Sequence, residues 1–248
     1  MMADPLAPLM ALPGIAEASD QARLALGRAH RHRANLRGWP VTAAEAALRA
    51  ARASAVLDGG SGNLDESASG EPIFAGALRV AQALEGGDTN LVSAWRRAPL
   101  QALARLHTLA ATGLVSDEQL GRPRIDGEVG HRLALLAKLV LDGTQAPAPV
   151  VAAIAHGEIL ILRPFGSADG VVARSVSRLV TIASGLDPHG LGVPEVSWMR
   201  RAGEYRNAAQ GLATGTPEGV AAWIVLCCRA MQAGAQEALS IADSLPKR

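Results

Sequence analysis

Apolar positions recur along the chain at helical rather than strand spacing. Leu133, Leu136, Ala137 and Val140 fall at i, i+3, i+4 and i+7, and Val172, Val176, Leu179 and Val180 form a second stripe of the same kind. Arg174 and Arg178 sit one turn apart on another face of that second segment. Further helices are predicted over Ile73–Leu84, Leu91–Trp95, Leu100–Ala111, His131–Leu141 and Val150–Leu162. The Ala-rich stretch through Ala208 and the run from Ala221 to Met231 close the chain with more helix. Strand signals are thin, and any sheet is expected to be no more than a small hairpin near Gly121 to Gly130. The predicted class is all-α.

The N-terminal part divides at a dipeptide. Residues 1–42 read as a proline-bearing leader followed by a short helix that Asp20 could cap and that runs to His30. Trp39-Pro40 then breaks the chain, and Thr42 with Glu45 forms a capping box for a helix over Ala43–Leu57. A main helical domain is therefore expected over 43–248, with its first helix at 43–58. The stretch from Gly59 to Pro72 reads as a flexible Gly/Ser loop.

Composition narrows the function classes. Of 248 residues 49% are apolar and 19% charged, which argues for a packed globular chain rather than a disordered one. Lys and Arg number 24 against 23 acidic residues, so no strong overall charge recruits nucleic acid. Aromatics are only 3%, so the core must be made of Ala, Leu, Val and Ile, whose small members let helices approach closely. The dense basic cluster of Arg28, His30, Arg31, His32, Arg33 and Arg37 reads first as a solvated helix end and second as a phosphate or nucleic-acid contact. Cys227 and Cys228 are adjacent, can form no disulfide framework, and read as small buried hydrophobes. No membrane-length apolar run and no convincing signal peptide occur, which makes the cytoplasm the expected location.

The informative segment runs from His156 to Arg178, HGEILILRPFGSADGVVARSVSR. An apolar helix ends in Arg163-Pro164-Phe165, a loop of small and polar residues follows (Gly166, Ser167, Ala168, Asp169, Gly170), and a second helix begins. Free N–H groups at that helix start would favour an anion. The same residues also read as an ordinary interhelical turn with Ser167 or Asp169 as N-cap. In that reading the chain is simply an Ala-rich helical scaffold.

The layout resembles the Fic/Doc (Fido) family, whose motif is His-Pro-Phe-x-Asp/Glu-Gly-Asn-Gly/Lys-Arg-x-x-Arg. Pro164, Phe165, Gly170 and Arg174 match in register. His156 also matches, as do the flanking segments Arg105-Leu106-His107, Gly121 to Arg124, and Glu204-Tyr205-Arg206 with Trp223. The resemblance extends over roughly residues 43 to 240. Many members carry an inhibitory helix ending in Ser/Thr-x-x-x-Glu-Gly/Asn, whose glutamate pairs with the last motif arginine. Ser54-Ala55-Val56-Leu57-Asp58-Gly59 is similar, with Asp58 in the glutamate position, and implies an Asp58–Arg174 contact.

The resemblance implies transfer of AMP or another phosphate-containing group to a protein hydroxyl, and the departures from the motif argue against it. Arg163 replaces the histidine that takes the hydroxyl proton, and a guanidinium cannot act as a base near neutrality. Ser167 replaces the acidic residue that holds Mg²⁺, so Mg²⁺ is not expected. Asp169 places a carboxylate where asparagine helps bind phosphate, and Val171 replaces an arginine. The implied function is binding without transfer, to a protein partner or to ATP or another nucleotide, with Arg163, Gly166, Ser167, Asp169, Gly170 and Arg174 as anion-site candidates. Arg163 either joins Arg174 on an anion or pairs with Asp169 or Asp58. The alternative is a divergent transferase that uses another base. Glu158 reads as a helix-surface or core-satisfied residue before a ligand, and His107 and His131 have no partner at metal-ligand spacing.

Overall fold

The structure, a computed structural model, describes residues 4–60, 71–85 and 90–245. The described residues form eleven α-helices: α1 (Ile15–His30), α2 (Arg33–Leu57), α3 (Pro72–Leu84), α4 (Asn90–Arg97), α5 (Pro99–Ala111), α6 (Gly127–Asp142), α7 (Ala148–Leu162), α8 (Asp169–Ala183), α9 (Pro194–Arg200), α10 (Ala202–Ala213) and α11 (Pro217–Ser244). No strand forms among them; the hairpin allowed near Gly121–Gly130 is absent. Pro123 has no N–H to give a partner strand, and the Arg124 N–H goes instead to the Pro164 carbonyl at 2.7 Å. The fold is all-α.

Helices α7 and α8 pack along each other at the centre, with α11 crossing α7 and α1 lying along α11. α7 is apolar on nearly every side, as a helix surrounded by others must be. Around this centre, α2 is largely buried from Thr42 onward, while its first turns are exposed. Ala47, Ala51 and Ala55 join the main core, while Ala46, Ala50 and Ala53 meet Val193, Val196 and Ile241 of a second cluster. Only a side chain as small as alanine fits on two opposed faces at such spacing. Gly76 serves α3 in the same way: a Cβ there would lie 2.0 Å from the Ala110 carbonyl oxygen of α5.

Two expected boundaries move. α1 begins at Ile15, with Gly14 at φ 77° before it, so Asp20 lies inside the helix and pairs with Arg23 on the surface instead of capping. Trp39-Pro40 does not break the chain, and α2 runs through it from Arg33. Contacts on both sides hold the backbone helical across Pro40. Asn35 Nδ2 donates to the Ala29 carbonyl at 2.8 Å, and Trp39 stacks on His189 at 4.0 Å. Thr42, expected to cap, turns its hydroxyl back to Asn35 Oδ1 at 2.7 Å, and Glu45 pairs with Arg49. Of the expected 59–72 loop, residues 61–70 lie outside the described residues, and α3 already begins at Pro72.

The basic cluster spans the α1–α2 corner. His30 Nε2 meets Asp187 Oδ1 at 2.7 Å and His32 lies 3.2 Å from Asp243, so both histidines of the cluster already have acidic partners within the chain. Cys227 and Cys228 are free and buried, and burial pushes the Cys228 thiol up to about 12. Glu158 is held by Arg132 through both carboxylate oxygens, at 2.7 and 2.8 Å. No helix among the described residues is long and apolar enough to cross a membrane.

Candidate functional site

The end of α7, the loop 163–168 and the start of α8 meet the last turn of α2. Arg163 terminates α7 in a left-handed conformation, φ 49° and ψ 58°, and Ala168 is left-handed as well, φ 50°. These two residues turn the chain tightly enough to aim the first N–H groups of α8 back toward α2. Arg124 secures the turn from outside, donating from Nε to the Arg163 carbonyl and from Nη2 to the Leu162 carbonyl, each at 3.0 Å. These carbonyls belong to the unpaired C-terminal end of α7, where a cation is favoured.

The loop is held from inside by His107 of α5. Its Nδ1 accepts from the Gly121 N–H at 2.9 Å, so the ring proton resides on Nε2 and is donated to Ser167 Oγ at 3.1 Å. The imidazole stacks on Phe165 with ring centres 4.1 Å apart. Burial lowers the His107 pKa, which keeps it neutral.

Neither Ser167 nor Asp169 caps α8. Ser167 is engaged by His107, and Asp169 Oδ1 reaches backward to accept from the Phe165 N–H at 3.0 Å. Asp169 is buried, its Oδ2 has no hydrogen-bond partner among the described residues, and burial raises its pKa. The cap comes from α2. Asp58 Oδ2 accepts from the Val171 N–H at 3.0 Å, while Oδ1 accepts from Arg174 Nη2 at 2.7 Å. Arg174, only 2% exposed, is further bound by Ser54 through Oγ at 2.8 Å and the carbonyl at 3.0 Å. The Asp58 carboxylate thus occupies the anion position of the α8 N-terminus. It fits there because residue 170 is glycine: a Cβ would lie 2.2 Å from Oδ1. Gly59 follows Asp58 at φ 91°, ending α2.

Arg163 is exposed, and among the described residues no carboxylate lies within ion-pair distance of its guanidinium. Of the two pairings open to it, neither forms: Asp58 is taken by Arg174, and Asp169 faces the Phe165 N–H. Gly166 is exposed at φ 75°, beside Arg124. The residues do not suit Mg²⁺, because Ser167 offers a neutral hydroxyl already in use, and Asp169 has no second carboxylate beside it in the loop.

Behind Arg174 lies a buried polar network. His156 Nε2 and the Tyr205 hydroxyl are 2.8 Å apart, and that hydroxyl also faces the Arg174 guanidinium. Burial, then Arg174, hold the His156 pKa well below the ordinary histidine value, and burial raises that of Tyr205. Trp223 donates to the Ala153 carbonyl at 2.8 Å alongside. His156, His107, Arg124, Tyr205 and Trp223 all lie in segments the sequence offered only as family-like flanks. Here His107 and Arg124 hold the loop, Tyr205 backs Arg174 with His156 behind it, and Trp223 ties α11 to α7. Arg178, one turn beyond Arg174, serves a different place, donating to the Gly190 and Gly192 carbonyls at 2.7 and 2.8 Å.

No protein-family model and no curated protein matches the sequence. Among solved structures, a Fic family protein from Desulfovibrio desulfuricans G20 superposes with a TM-score of 0.71 at 20% identity, over 95% of this chain and 77% of that one. The chain therefore has a Fic-type fold, the class to which the helix–loop–helix of α7 and α8 also points.

Proposed function

We propose that this protein binds an anionic group, that of a nucleotide or of a protein partner, at the mouth of α8 without transferring it. One observation carries the reading. The end of α7, where a hydroxyl-activating base would stand, presents a permanently charged and solvated guanidinium, Arg163. His107, the histidine that touches the loop, has both ring nitrogens engaged and is 1% exposed. Loss of a general base alone costs on the order of 10²–10⁴ in rate. A missing charge-stabilising donor adds roughly 10²–10³. In this reading Asp58 is an internal occupant of the anion position, and a ligand binds by displacing it from Val171 and Arg174. With the cytoplasm as its compartment, nucleotides are at hand.

The test has two arms. Incubation with labelled ATP or CDP-choline and Mg²⁺ is expected to leave this chain and added protein unlabelled, in wild type and in Arg163→His. Labelling that persists in Arg163→Ala overturns the reading in favour of a divergent transferase. Calorimetric titration with ATP and ADP is expected to show weak binding to wild type and tighter binding to Asp58→Ala. Absence of binding to both variants removes the nucleotide from the proposal.

A further inference from the structure

A cavity of about 250 Å³ opens between α9, α10 and α11, away from the loop at 163–168. Trp198 and Tyr205, both buried, line it together with Ala222, Val225 and Leu226, and its charged lining residues are Arg201, Arg229 and Glu204. Glu204 offsets Arg201 across 4.0 Å in an exposed pair. Arg229 has no carboxylate within ion-pair distance among the described residues, so the cavity carries one net positive charge. The Trp198 indole N–H is buried and unpartnered among the described residues.

We infer that this cavity binds a small aromatic carboxylate, its ring against Trp198 and Leu226 and its acid group toward Arg229 and Arg201. Size supports the ring, since an apolar cavity of about 150 Å³ already accepts benzene. The remaining space suits a short acid arm. Charge selects the acid over an amine, because an ammonium would meet two guanidiniums and one carboxylate. The cavity shares Tyr205 with the surroundings of Arg174 but none of Asp58, Gly170 or Arg163, so the site stands whether or not the α8 mouth binds anything.

The probe is 3-phenylpropionate, with 3-phenylpropan-1-ol and 3-phenylpropylamine as controls, titrated into the full chain. Binding is followed by calorimetry and by the indole N–H resonances, the Trp198 signal being assigned with Trp198→Phe. The acid is expected to bind about tenfold tighter than the alcohol, as charge-assisted contacts imply, and to move the Trp198 resonance but not that of Trp39 or Trp95. Arg201→Ala with Arg229→Ala should reduce the acid to the affinity of the alcohol and leave the alcohol unchanged. Ala222→Leu, at an exposed helix position, should fill the cavity and abolish binding of both. Three results overturn the inference: no binding of the acid by about 5 mM, which corresponds to about 0.3 kcal/mol for each of about eleven heavy atoms; equal binding of acid and amine; or acid binding unchanged in Ala222→Leu.

Discussion

Replacing Gly170 by alanine tests the arrangement at the α8 mouth through its sign. In an unencumbered helix the change stabilises by up to about 1 kcal/mol, because alanine has the higher helix propensity. Here the new Cβ would lie 2.2 and 2.7 Å from the two Asp58 carboxylate oxygens and 2.8 Å from Cγ. The carboxylate cannot shift and keep its bonds, being held on one side by the Val171 N–H and on the other by Arg174. Its expulsion removes two charge-assisted hydrogen bonds worth about 1.5–3 kcal/mol each and leaves the buried Arg174 with neutral partners only, Ser54 and Tyr205. The net expectation is a loss of about 2–4 kcal/mol. For a chain of this length that lowers Tm by about 5–15 °C. Urea unfolding and calorimetry of wild type, Gly170→Ala, Asp58→Ala and the double variant complete a thermodynamic cycle. In the Asp58→Ala background, alanine at 170 displaces nothing and is expected to be neutral or mildly stabilising. Gly170→Ala as stable as wild type, or more so, would refute the reasoning.

Three further outcomes follow from the same geometry. His156 is neutral in the fold, with a pKa well below the unfolded value of 6.5, so the unfolded chain gains the extra proton as pH falls through 6.5 and stability drops; an equal pH dependence in His156→Gln, followed by urea unfolding, would contradict it. Asp169→Asn keeps the acceptor for the Phe165 N–H and removes a buried charge whose pKa burial raises, so it should be more stable than wild type at pH 7 by urea unfolding. That advantage should vanish as pH falls through the folded pKa, where wild type neutralises itself. Arg163→Gly relieves a left-handed conformation at the end of α7 and should raise stability by about 0.5–1 kcal/mol in thermal unfolding; a decrease would mean that the side chain holds a contact.

What the sequence revealed tracks how local the cause is. The α8 stripe is legible because periodicity alone decides it, and the α7 run because thirteen apolar-rich residues from Val150 to Leu162 are too long for a strand. The tie between α2 and α8 was legible through the family resemblance alone, since Ser54 to Gly59 is similar to the inhibitory segment whose acid pairs with the last motif arginine. The start of α2 was not, because Pro40 is overruled by Trp39 stacking on His189 and Asn35 bonding to Ala29, contacts between segments distant in sequence. α9 escaped notice because seven residues give too little periodicity, although Pro194 at its first turn was an available signal. The cap of α8 escaped for a related reason: the local candidates, Ser167 and Asp169, are drawn off by His107 and Phe165, and the carboxylate that serves comes from over a hundred residues away.

The double grip on Asp58 sets a threshold for whatever competes with it. If opening that grip requires about 3 kcal/mol, only about one molecule in 150 has a vacant helix mouth at any instant, and an incoming anion is seen about 150-fold weaker than its intrinsic affinity. Weak, ubiquitous anions such as chloride or free phosphate are thereby turned away. A ligand that also engages neighbouring surface recovers the difference and gains entry.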